Sequence, residues 1–293
     1  MERGTRGGDE WEALYEVLLG SNRGSAQRFP VIVAIDIGNT AVKFGFFEEK
    51  EPVFRLDMPS DKEFGVEEYW RPVQESLSPT TTVEGAVICS VVPALTPVLS
   101  RLCVEKLGSK PIIFDWSSPI ALVNKYNPPK DVGSDRRANA FAAWKMYGAP
   151  ALVVDIGTAV TVDVVSAHGE YLGGVIAPGI EMAADALHQK TALLPRVTCQ
   201  AVGAVLGTDT VSAIRSGLTH GYAAMISGLI AKLKAELGFS QGTKIVLTGG
   251  HVSIFQDLLA DLSVVVDPDL TLKGLNLIYL EISGGAQGSQ SLD

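Results

Sequence analysis

Short apolar runs recur along the chain and alternate with segments of helical periodicity. Runs rich in β-branched and aromatic residues predict buried strands over 31–36, 41–47, 86–92, 111–114, 150–155, 160–165 and 244–248. Apolar positions three and four residues apart predict helices over 95–107, 135–147 and 221–237, and a further helix that begins near residue 180. Strands that alternate with helices in this way are typical of an α/β protein.

Residues 221–237 show the helical pattern most clearly. Their apolar stripe consists of Met225, Leu229, Ile230, Leu233 and Leu237. Glycine is the residue type that ends a helix most readily, because it adopts the left-handed conformation without steric cost. We therefore expect the three predicted helices to end at Gly108, Gly148 and Gly238.

One segment occurs twice along the chain. A strand that ends in Asp36 leads into a short turn and a second strand, and a strand that ends in Asp155 does the same. Aligning the two aspartates superposes Asp-Ile-Gly on Asp-Ile-Gly, which indicates an internal duplication. We expect two related halves, at 31–147 and 148–282.

Two segments lie outside these halves. Residues 1–30 form an N-terminal extension with a short amphipathic piece at 11–19, which is either a docking helix or part of a loosely held tail. Residues 283–293 are predicted from their composition to be a flexible tail.

Composition narrows the classes of function. Of the 293 residues, 46% are apolar, which is too many for a disordered chain. Lys and Arg number 24 and Asp and Glu 33, so the formal charge of −9 argues against nucleic acid or a membrane surface as partner. No apolar run approaches the roughly 18 residues of a membrane-spanning helix. The acidic N-terminus does not resemble a secretory signal, and three widely spaced cysteines form neither a disulfide framework nor a zinc site. We expect a cytoplasmic protein.

The two repeated turns carry groups that suit phosphate. Neither GxxxxGK[ST] nor GxGxxG occurs, so a phosphate must be held in another way. Gly38 lets the backbone approach a ligand closely, Asn39 and Thr40 offer side-chain donors, and Lys43 adds positive charge. Asp36 is suited to bind Mg²⁺ directly or through water. One Asp-x-Gly alone would indicate only a tight turn, but residues 155–161 repeat the pattern. We therefore expect two hairpins that face each other and clamp a nucleotide polyphosphate.

The segment YNPPKDVGSDRR at 126–137 carries a candidate base. Asp135 is either the N-cap of the following helix or a general base that faces the cleft, with Arg136 balancing phosphate charge. The residues alone leave both alternatives open. Two glycine pairs are less specific: Gly173-Gly174 fits loop packing or a ligand loop, with loop packing the safer interpretation, and Gly249-Gly250 leaves room for a flat ring such as adenine.

Together these segments resemble the type III pantothenate kinases, members of the acetate and sugar kinase, Hsp70 and actin superfamily. The resemblance spans about 31–282 and rests on the order of AIDIGNTAVKFGFF, ICSVVPAL, YNPPKDVGSDRRANAFAA, LVVDIGTAVTVDVV, YLGGVIAPGI, TALLPRV, GTDTVSAIRSG, IVLTGGH and DPDLTLKGL. It implies two ribonuclease H-like, actin-like ATPase halves around a nucleotide cleft. The implied activity is ATP-dependent phosphorylation of pantothenate to 4′-phosphopantothenate, the first step of coenzyme A synthesis.

The resemblance also implies roles for individual residues. Asp135 would be the proton acceptor, Thr158 would contact ATP, and Asp155 would hold a monovalent cation (K⁺ or NH₄⁺) in addition to the Mg²⁺ that accompanies ATP. The rest of the ATP site would comprise Asp36, Ile37, Gly38, Asn39, Thr40, Ala41, Val42 and Lys43. The pantothenate pocket would be built at a homodimer interface from Tyr126, Gly133, Ser134, Asp135, Arg136 and Thr210. Whether Arg136 meets phosphate or the pantothenate carboxylate stays open.

Three residues depart from the family pattern: Arg137 stands where an aliphatic residue is usual, Asp209 where asparagine is common, and His251 where a smaller or aliphatic residue is usual. An alternative function is a non-catalytic transcriptional accessory factor on the same scaffold. The retained set Asp36, Asp135, Arg136 and Asp155 favours the enzyme.

Overall fold

The computed structural model describes residues 30–78, 80–240 and 242–288. Most of the N-terminal extension, with its amphipathic piece, lies outside these ranges. The strands within them are β1 Val31–Ile37, β2 Ala41–Glu48, β3 Glu51–Pro59, β4 Val83–Ser90, β5 Ile112–Phe114, β6 Val123–Asn124, β7 Ala151–Ile156, β8 Ala159–Val165, β9 Glu170–Pro178, β10 Lys244–Thr248 and β11 Val265–Val266.

The α-helices of the same ranges are α1 Val66–Ser76, α2 Thr96–Lys106, α3 Ser134–Tyr147, α4 Ile180–Lys190, α5 Thr210–Ser216, α6 Tyr222–Leu237, α7 Val252–Phe255 and α8 Leu270–Gly288. A π-helical turn, Gly217–Gly221, joins α5 to α6. In the described part of the chain, no helix is both long and apolar enough to cross a bilayer.

Two sheets repeat one strand order. The first is ordered β3-β2-β1-β4-β5, and the second is ordered β9-β8-β7-β10-β11, with β6 added beside β9. In both, the first three strands form an antiparallel meander and the last two run parallel to the central strand. Asp36 and Asp155 therefore occupy equivalent places near the carboxyl ends of the two central strands, β1 and β7. This is the arrangement that the repeated segment predicts.

Two helices lie between the sheets. α3 and α8 pack against each other; α8 also packs on β1, β2 and β4, and α3 packs on β7 and β8. Their contact is close, because a Cβ on Gly274 would lie 2.4 Å from the carbonyl oxygen of Ala138. The largest apolar cluster joins these helices to inner faces of both sheets. The two sequence halves, which meet at 147/148, therefore do not coincide with the two packed sheets. Helix α8 belongs to the second half but packs on the first sheet, and β6 belongs to the first half but joins the second sheet.

The seven predicted strands are all present, with bounds shifted by a few residues. The sequence patterns missed the strands β3, β6, β9 and β11 and the helices α1, α5, α7 and α8. The sequence favours loop packing around Gly173 and Gly174, but both residues lie in β9. A Cβ on Gly174 would lie 2.0 Å from the carbonyl oxygen of Val162, so this strand needs glycine for close backbone approach. At the other end, α8 continues to Gly288, so the start of the expected tail at 283 is helical.

Candidate active site

Two related hairpins supply the turns of the site. In the first, which joins β1 to β2, the N–H of Gly38 donates to the carbonyl of Ala41 at 3.0 Å. In the second, which joins β7 to β8, the N–H of Gly157 donates to the carbonyl of Ala159, also at 3.0 Å. The second turn is one residue shorter, because Ile37 pairs with Val42 but Ile156 pairs with Val160. The sequence repeat therefore corresponds to a repeat of backbone geometry.

The tips of the two hairpins meet. The hydroxyl oxygens of Thr40 and Thr158 lie 2.8 Å apart, and both residues are exposed. Asn39 is exposed beside Thr40, whereas the side chains of Ile37 and Val42 are buried in the first sheet's core. Of the first hairpin's residues, then, Ile37 and Val42 have only backbone groups to offer a ligand.

Asp36 is a buried carboxylate, 6% exposed. The Nζ of Lys43 lies 3.7 Å from one of its oxygens, and the thiol of Cys89 donates to the other at 3.3 Å. Burial alone would lower the pKa of Lys43, but the charges of Asp36 and Asp155 outweigh it and leave that pKa raised. Lys43 therefore stays protonated and is available as a cation between the two hairpins. Burial and the nearby aspartates hold the pKa of the Cys89 thiol well above its usual value.

Asp155, the counterpart of Asp36, is held by α3. The amide nitrogen of Asn139 donates to its Oδ2 at 3.0 Å, and Thr271 on α8 fixes Asn139 by donating to its carbonyl oxygen at 2.7 Å. Burial, opposed in part by the charge of Lys43, raises the pKa of Asp155 to about 6. Helices α3 and α8 thus orient the Asp155 carboxylate, and its raised pKa shows that Lys43 and Asn139 only partly offset the cost of burying its charge.

Asp135 lies in the first turn of α3, which begins one residue earlier than predicted. The N-cap is Gly133, so the hypothesis that Asp135 is merely the cap is wrong. Its Oδ1 accepts from the backbone N–H of Arg136 at 2.8 Å. Burial, followed by the charge of Asp36, raises the pKa of Asp135 to about 7, with smaller contributions from Asp155 and Asp163. A carboxyl poised near neutral pH has the proton affinity that a general base needs.

Arg136 is committed to a carboxylate that the sequence patterns did not single out. Its Nε donates to Oδ1 of Asp163 at 2.9 Å, and its Nη2 lies 2.7 Å from the same oxygen. Asp163 on β8 is fully buried. The only sequence signal was a polar residue inside the apolar run VTVDVV at 160–165. The sequence predicts that Arg136 balances phosphate charge or holds the pantothenate carboxylate; in the structure its partner is Asp163.

Of the other residues expected in the pantothenate pocket, Tyr126 and Ser134 lie at α3, whereas Thr210 lies on another helix. The Tyr126 ring lies 5.9 Å from the Arg136 guanidinium carbon, which places it beside α3. The Ser134 hydroxyl exchanges hydrogen bonds with the backbone of Ser90 at the end of β4. Thr210 instead is exposed at the start of α5, which packs into a separate apolar cluster with the π-helical turn and α4.

Comparison with known proteins decides the family. The model of the type III pantothenate kinase family matches residues 32–232. A type III pantothenate kinase from Moorella thermoacetica is 35% identical over 253 residues, which cover 85% of this chain and 98% of that protein. The chain belongs to the type III pantothenate kinase family. It is therefore an enzyme of the kinase class, and the transcriptional accessory role is not favoured.

Solved structures show the fold of this family member. The ethanolamine utilization protein EutJ from Carboxydothermus hydrogenoformans superposes with a TM-score of 0.52, at 12% identity, over 92% of this chain and 97% of that one. MreB 5 of Spiroplasma citri, bound to AMPPNP, superposes with a TM-score of 0.51, at 11% identity, over 90% of this chain and all of that one. The expected α/β class with an actin-like ATPase fold is confirmed.

The three departures from the kinase family pattern have structural roles. Arg137 is buried and donates to the carbonyls of Asp115 and Ser118 at 2.6 and 2.9 Å, which ties α3 to the loop after β5. Asp209 caps α5 by accepting from the N–H of Ser212 at 3.0 Å, a task that asparagine performs equally well. The Nε2 of His251 lies 3.3 Å from Oε1 of Glu181 on α4.

The kinase requires ATP with a divalent cation, and its acidic residues fit that demand. The charge of Asp36 acts on both Asp135 and Asp155, and Lys43 is a cation near Asp36 and Asp155. Within the described ranges, no group of three or more His, Cys, Asp or Glu side chains is placed to hold a metal by itself. Proteins usually bind Mg²⁺ through one or two carboxylates, with nucleotide phosphates and water as the other ligands.

Proposed function

We propose that this chain phosphorylates pantothenate with Asp135 as the proton acceptor. The observation that carries this assignment is the half-buried Asp135 carboxyl in the first turn of α3, whose pKa the neighbouring carboxylates and burial raise to about 7. The primary hydroxyl of pantothenate gives its proton to Asp135, and its oxygen attacks the γ-phosphorus of ATP. A new P–O bond forms, the bond from the γ-phosphorus to the bridging oxygen breaks, and ADP leaves.

The two hairpins hold the triphosphate in this proposal. Asn39 and Thr40 of the first turn and Thr158 of the second present donors to the phosphate oxygens, while Gly38, whose N–H is used within the turn, lets the ligand approach the backbone closely. Ile37, Ala41 and Val42 contribute backbone only, and Lys43 adds a positive charge. Asp36 would hold the Mg²⁺ that accompanies ATP, and this ion would neutralise charge on the phosphoryl oxygens. Asp155, steadied by Asn139, would hold a monovalent cation, K⁺ or NH₄⁺.

The pantothenate pocket in this proposal lies against α3. Tyr126, Gly133, Ser134 and Arg136 surround the base, since Tyr126 packs near Arg136 and the other two belong to the turn that begins the helix. Gly133 is needed there, because a Cβ at this position would lie 2.5 Å from the Asp135 carboxylate. Thr210, on a helix that packs in a separate apolar cluster, would complete this pocket from a second protomer.

A homodimer is accordingly part of the proposal. An apolar groove of about 760 Å³ lies between α4 and the π-helical turn, and Ala213 and Ile214 of the helix that begins at Thr210 line it. Met182 at this groove is 52% exposed, and Leu187 and Leu218 also line the groove. Large apolar side chains grouped on a surface in this way mark an interaction site. Light scattering should show a dimer for the native chain and a monomer for Met182→Glu, with Val104→Glu on α2 as a control that stays dimeric.

We also propose the cytoplasm as the location, with neither nucleic acid nor a membrane as partner. Cys89, Cys103 and Cys199 are free thiols, as expected in a reducing compartment. The net charge of −9 disfavours polyanionic surfaces, whereas a single ATP needs only the local donors described above.

The activity itself has a direct test. The purified full chain is incubated with pantothenate and Mg-ATP in K⁺, NH₄⁺ or Na⁺, and the product is followed by ³¹P NMR. We expect a phosphate ester on the primary hydroxyl, formed faster with K⁺ or NH₄⁺ than with Na⁺. A folded protein that forms no ester with any of the three cations would overturn the proposal and favour the accessory-factor alternative.

A further inference from the structure

Beneath the first turn of α3 lies a buried polar network that the mechanism above does not use. Its centre is Asp163, which is fully buried and so cannot touch a substrate. Its Oδ1 accepts from Arg136 and, at 2.7 Å, from the hydroxyl of Tyr171, while Oδ2 accepts from the hydroxyl of Thr161 at 3.1 Å. Both oxygens of this carboxylate are thus occupied by donors from three elements.

Such a group is costly in a protein interior. A buried carboxylate loses several kcal/mol of solvation free energy, and a partner cation offsets this loss only when the geometry is good. Apolar residues of similar size often stabilise a fold at least as well as a buried ion pair does. The ion pair is therefore weak grounds for a purely stabilising role. Arg136 of this pair directly follows the proposed base Asp135, which suggests a role in the active site.

Arg136 is fixed by this network and yet keeps donor capacity. It is 7% exposed, and its guanidinium packs near the Tyr126 ring, which itself lies 6.1 Å from the ring of Tyr171. The Nη2 atom is buried beside Asp163 and has no well-aligned hydrogen-bond acceptor within the described residues. Because the charges of Arg136 and Asp163 cancel, the pair suits a neutral oxygen such as an amide carbonyl or hydroxyl better than a phosphate.

We infer that Asp163 is a positioning residue for the alcohol substrate: it holds Arg136 at a fixed place beside Asp135 and Tyr126, so that Arg136 donates to pantothenate and not to ATP. This inference rests on the proposed pantothenate pocket. Tyr171 acts with Asp163, because its hydroxyl fixes the carboxylate oxygen that Arg136 contacts. Asp163 also acts on the base at a distance, since its charge contributes to the raised proton affinity of Asp135.

The test is a kinetic comparison of Asp163→Asn and Tyr171→Phe with the native full chain, with the exposed Asp261→Asn as a control. For Asp163→Asn we expect the KM for pantothenate to rise about tenfold or more, the loss of one charge-assisted hydrogen bond, while the KM for ATP changes less than about twofold. Tyr171→Phe, which removes one hydroxyl, should shift the same KM in the same direction by less. Burial raises the Asp135 pKa most, followed by the charges of Asp36, Asp155 and Asp163, and the Arg136 N–H opposes them. Removing the Asp163 charge should therefore move the acid limb of the kcat profile to lower pH.

A double-mutant cycle with Arg136→Met separates positioning from general damage to the fold. If Asp163 acts through Arg136, its substitution should change the pantothenate KM little once Arg136 is gone. Additive effects, or an unchanged pantothenate KM in either single variant, would overturn the inference. If Asp163→Asn does not fold, Tyr171→Phe decides alone: native kinetics would refute the positioning role. Failure of the proposed function itself would appear separately, as absence of pantothenate phosphorylation by the native chain.

Discussion

The hydroxyl of Thr40 lies 2.8 Å from the hydroxyl of Thr158, so the two halves of the molecule touch at the tips of their equivalent hairpins. One of these hydroxyls donates a hydrogen bond to the other, although both residues are exposed. A triphosphate that lies between the hairpins would replace this contact with hydrogen bonds to its own oxygens. The Thr40–Thr158 hydrogen bond therefore lies where the triphosphate would bind in the proposed ATP site.

Replacing either threonine tests this interpretation. We expect Thr40→Val or Thr158→Val to raise the KM for ATP roughly five- to tenfold, the loss of about one hydrogen bond, with the Tm nearly unchanged because both side chains are exposed. Thr198→Val, another exposed threonine, is the matched control. An unchanged KM for ATP in both variants would mean that the hairpin tips do not contact the nucleotide.

Gly249 and Gly250 follow β10 and offer a paired comparison. Gly249 has φ +101°, and a Cβ there would lie 2.5 Å from the Asp155 carboxylate, whereas a Cβ on Gly250 would meet open space. We expect Gly249→Ala to lower the Tm by several degrees, because a left-handed backbone and a clash both oppose the methyl group. Gly250→Ala should leave the Tm unchanged and raise the KM for ATP if the adenine ring lies over this turn. Native ATP kinetics for Gly250→Ala would exclude the turn from the nucleotide site.

Arg137 should matter for stability and not for chemistry. It donates to two backbone carbonyls, and its guanidinium carbon lies 5.2 Å from the centre of the Phe114 ring. Arg137→Ala leaves both carbonyls without their donor and removes a packed side chain, which we expect to cost about 2–4 kcal/mol of unfolding free energy. Denaturant unfolding measures the loss, with the exposed Arg101→Ala as control. If the fold keeps its stability while kcat collapses, Arg137 belongs to the catalytic machinery instead.

The raised pKa of Asp135 has a consequence for stability. A carboxyl whose pKa is higher in the folded than in the unfolded state binds protons better when folded, so its effect on stability worsens as pH rises from about 4 to about 7. Removing that charge should therefore stabilise the protein. We expect Asp135→Asn to raise the Tm by a few degrees at pH 8 and to change it little at pH 4.5. A lower Tm at pH 8 would show that the ionised carboxylate stabilises the fold.

The sequence predicted the parts of this molecule that repeat or follow a simple period. β1 and β7, with Asp36 and Asp155 near their ends, were recognisable because a buried strand is an uninterrupted apolar run and the Asp-Ile-Gly turn occurs twice. β9 was missed because a Gly-Gly pair is typical of a loop. Gly174 is glycine because the backbone of β8 approaches it closely, and Gly173 because its φ is +122°, and the local sequence shows neither.

Contacts between distant segments were likewise beyond reach. The pairing of Arg136 with Asp163 joins a helix turn to a strand 27 residues on, and no spacing rule links the two. In the sequence, Asp163 is only one polar residue within an apolar run. The capping alternative for Asp135 failed for a related reason, because the true N-cap, Gly133, has no side chain by which a cap is usually recognised.

The central claim is that Asp135 accepts the proton of the pantothenate hydroxyl, and Asp135→Asn tests it most directly. Asparagine keeps the shape of the side chain but cannot take a proton at neutral pH, so we expect kcat to fall about 10²- to 10⁴-fold in a folded protein. Asp131→Asn, at an exposed aspartate four residues earlier, should retain native kcat. The native enzyme should also lose activity as pH falls through about 7, where Asp135 becomes protonated. A kcat for folded Asp135→Asn within a few-fold of native would contradict the assignment of the base.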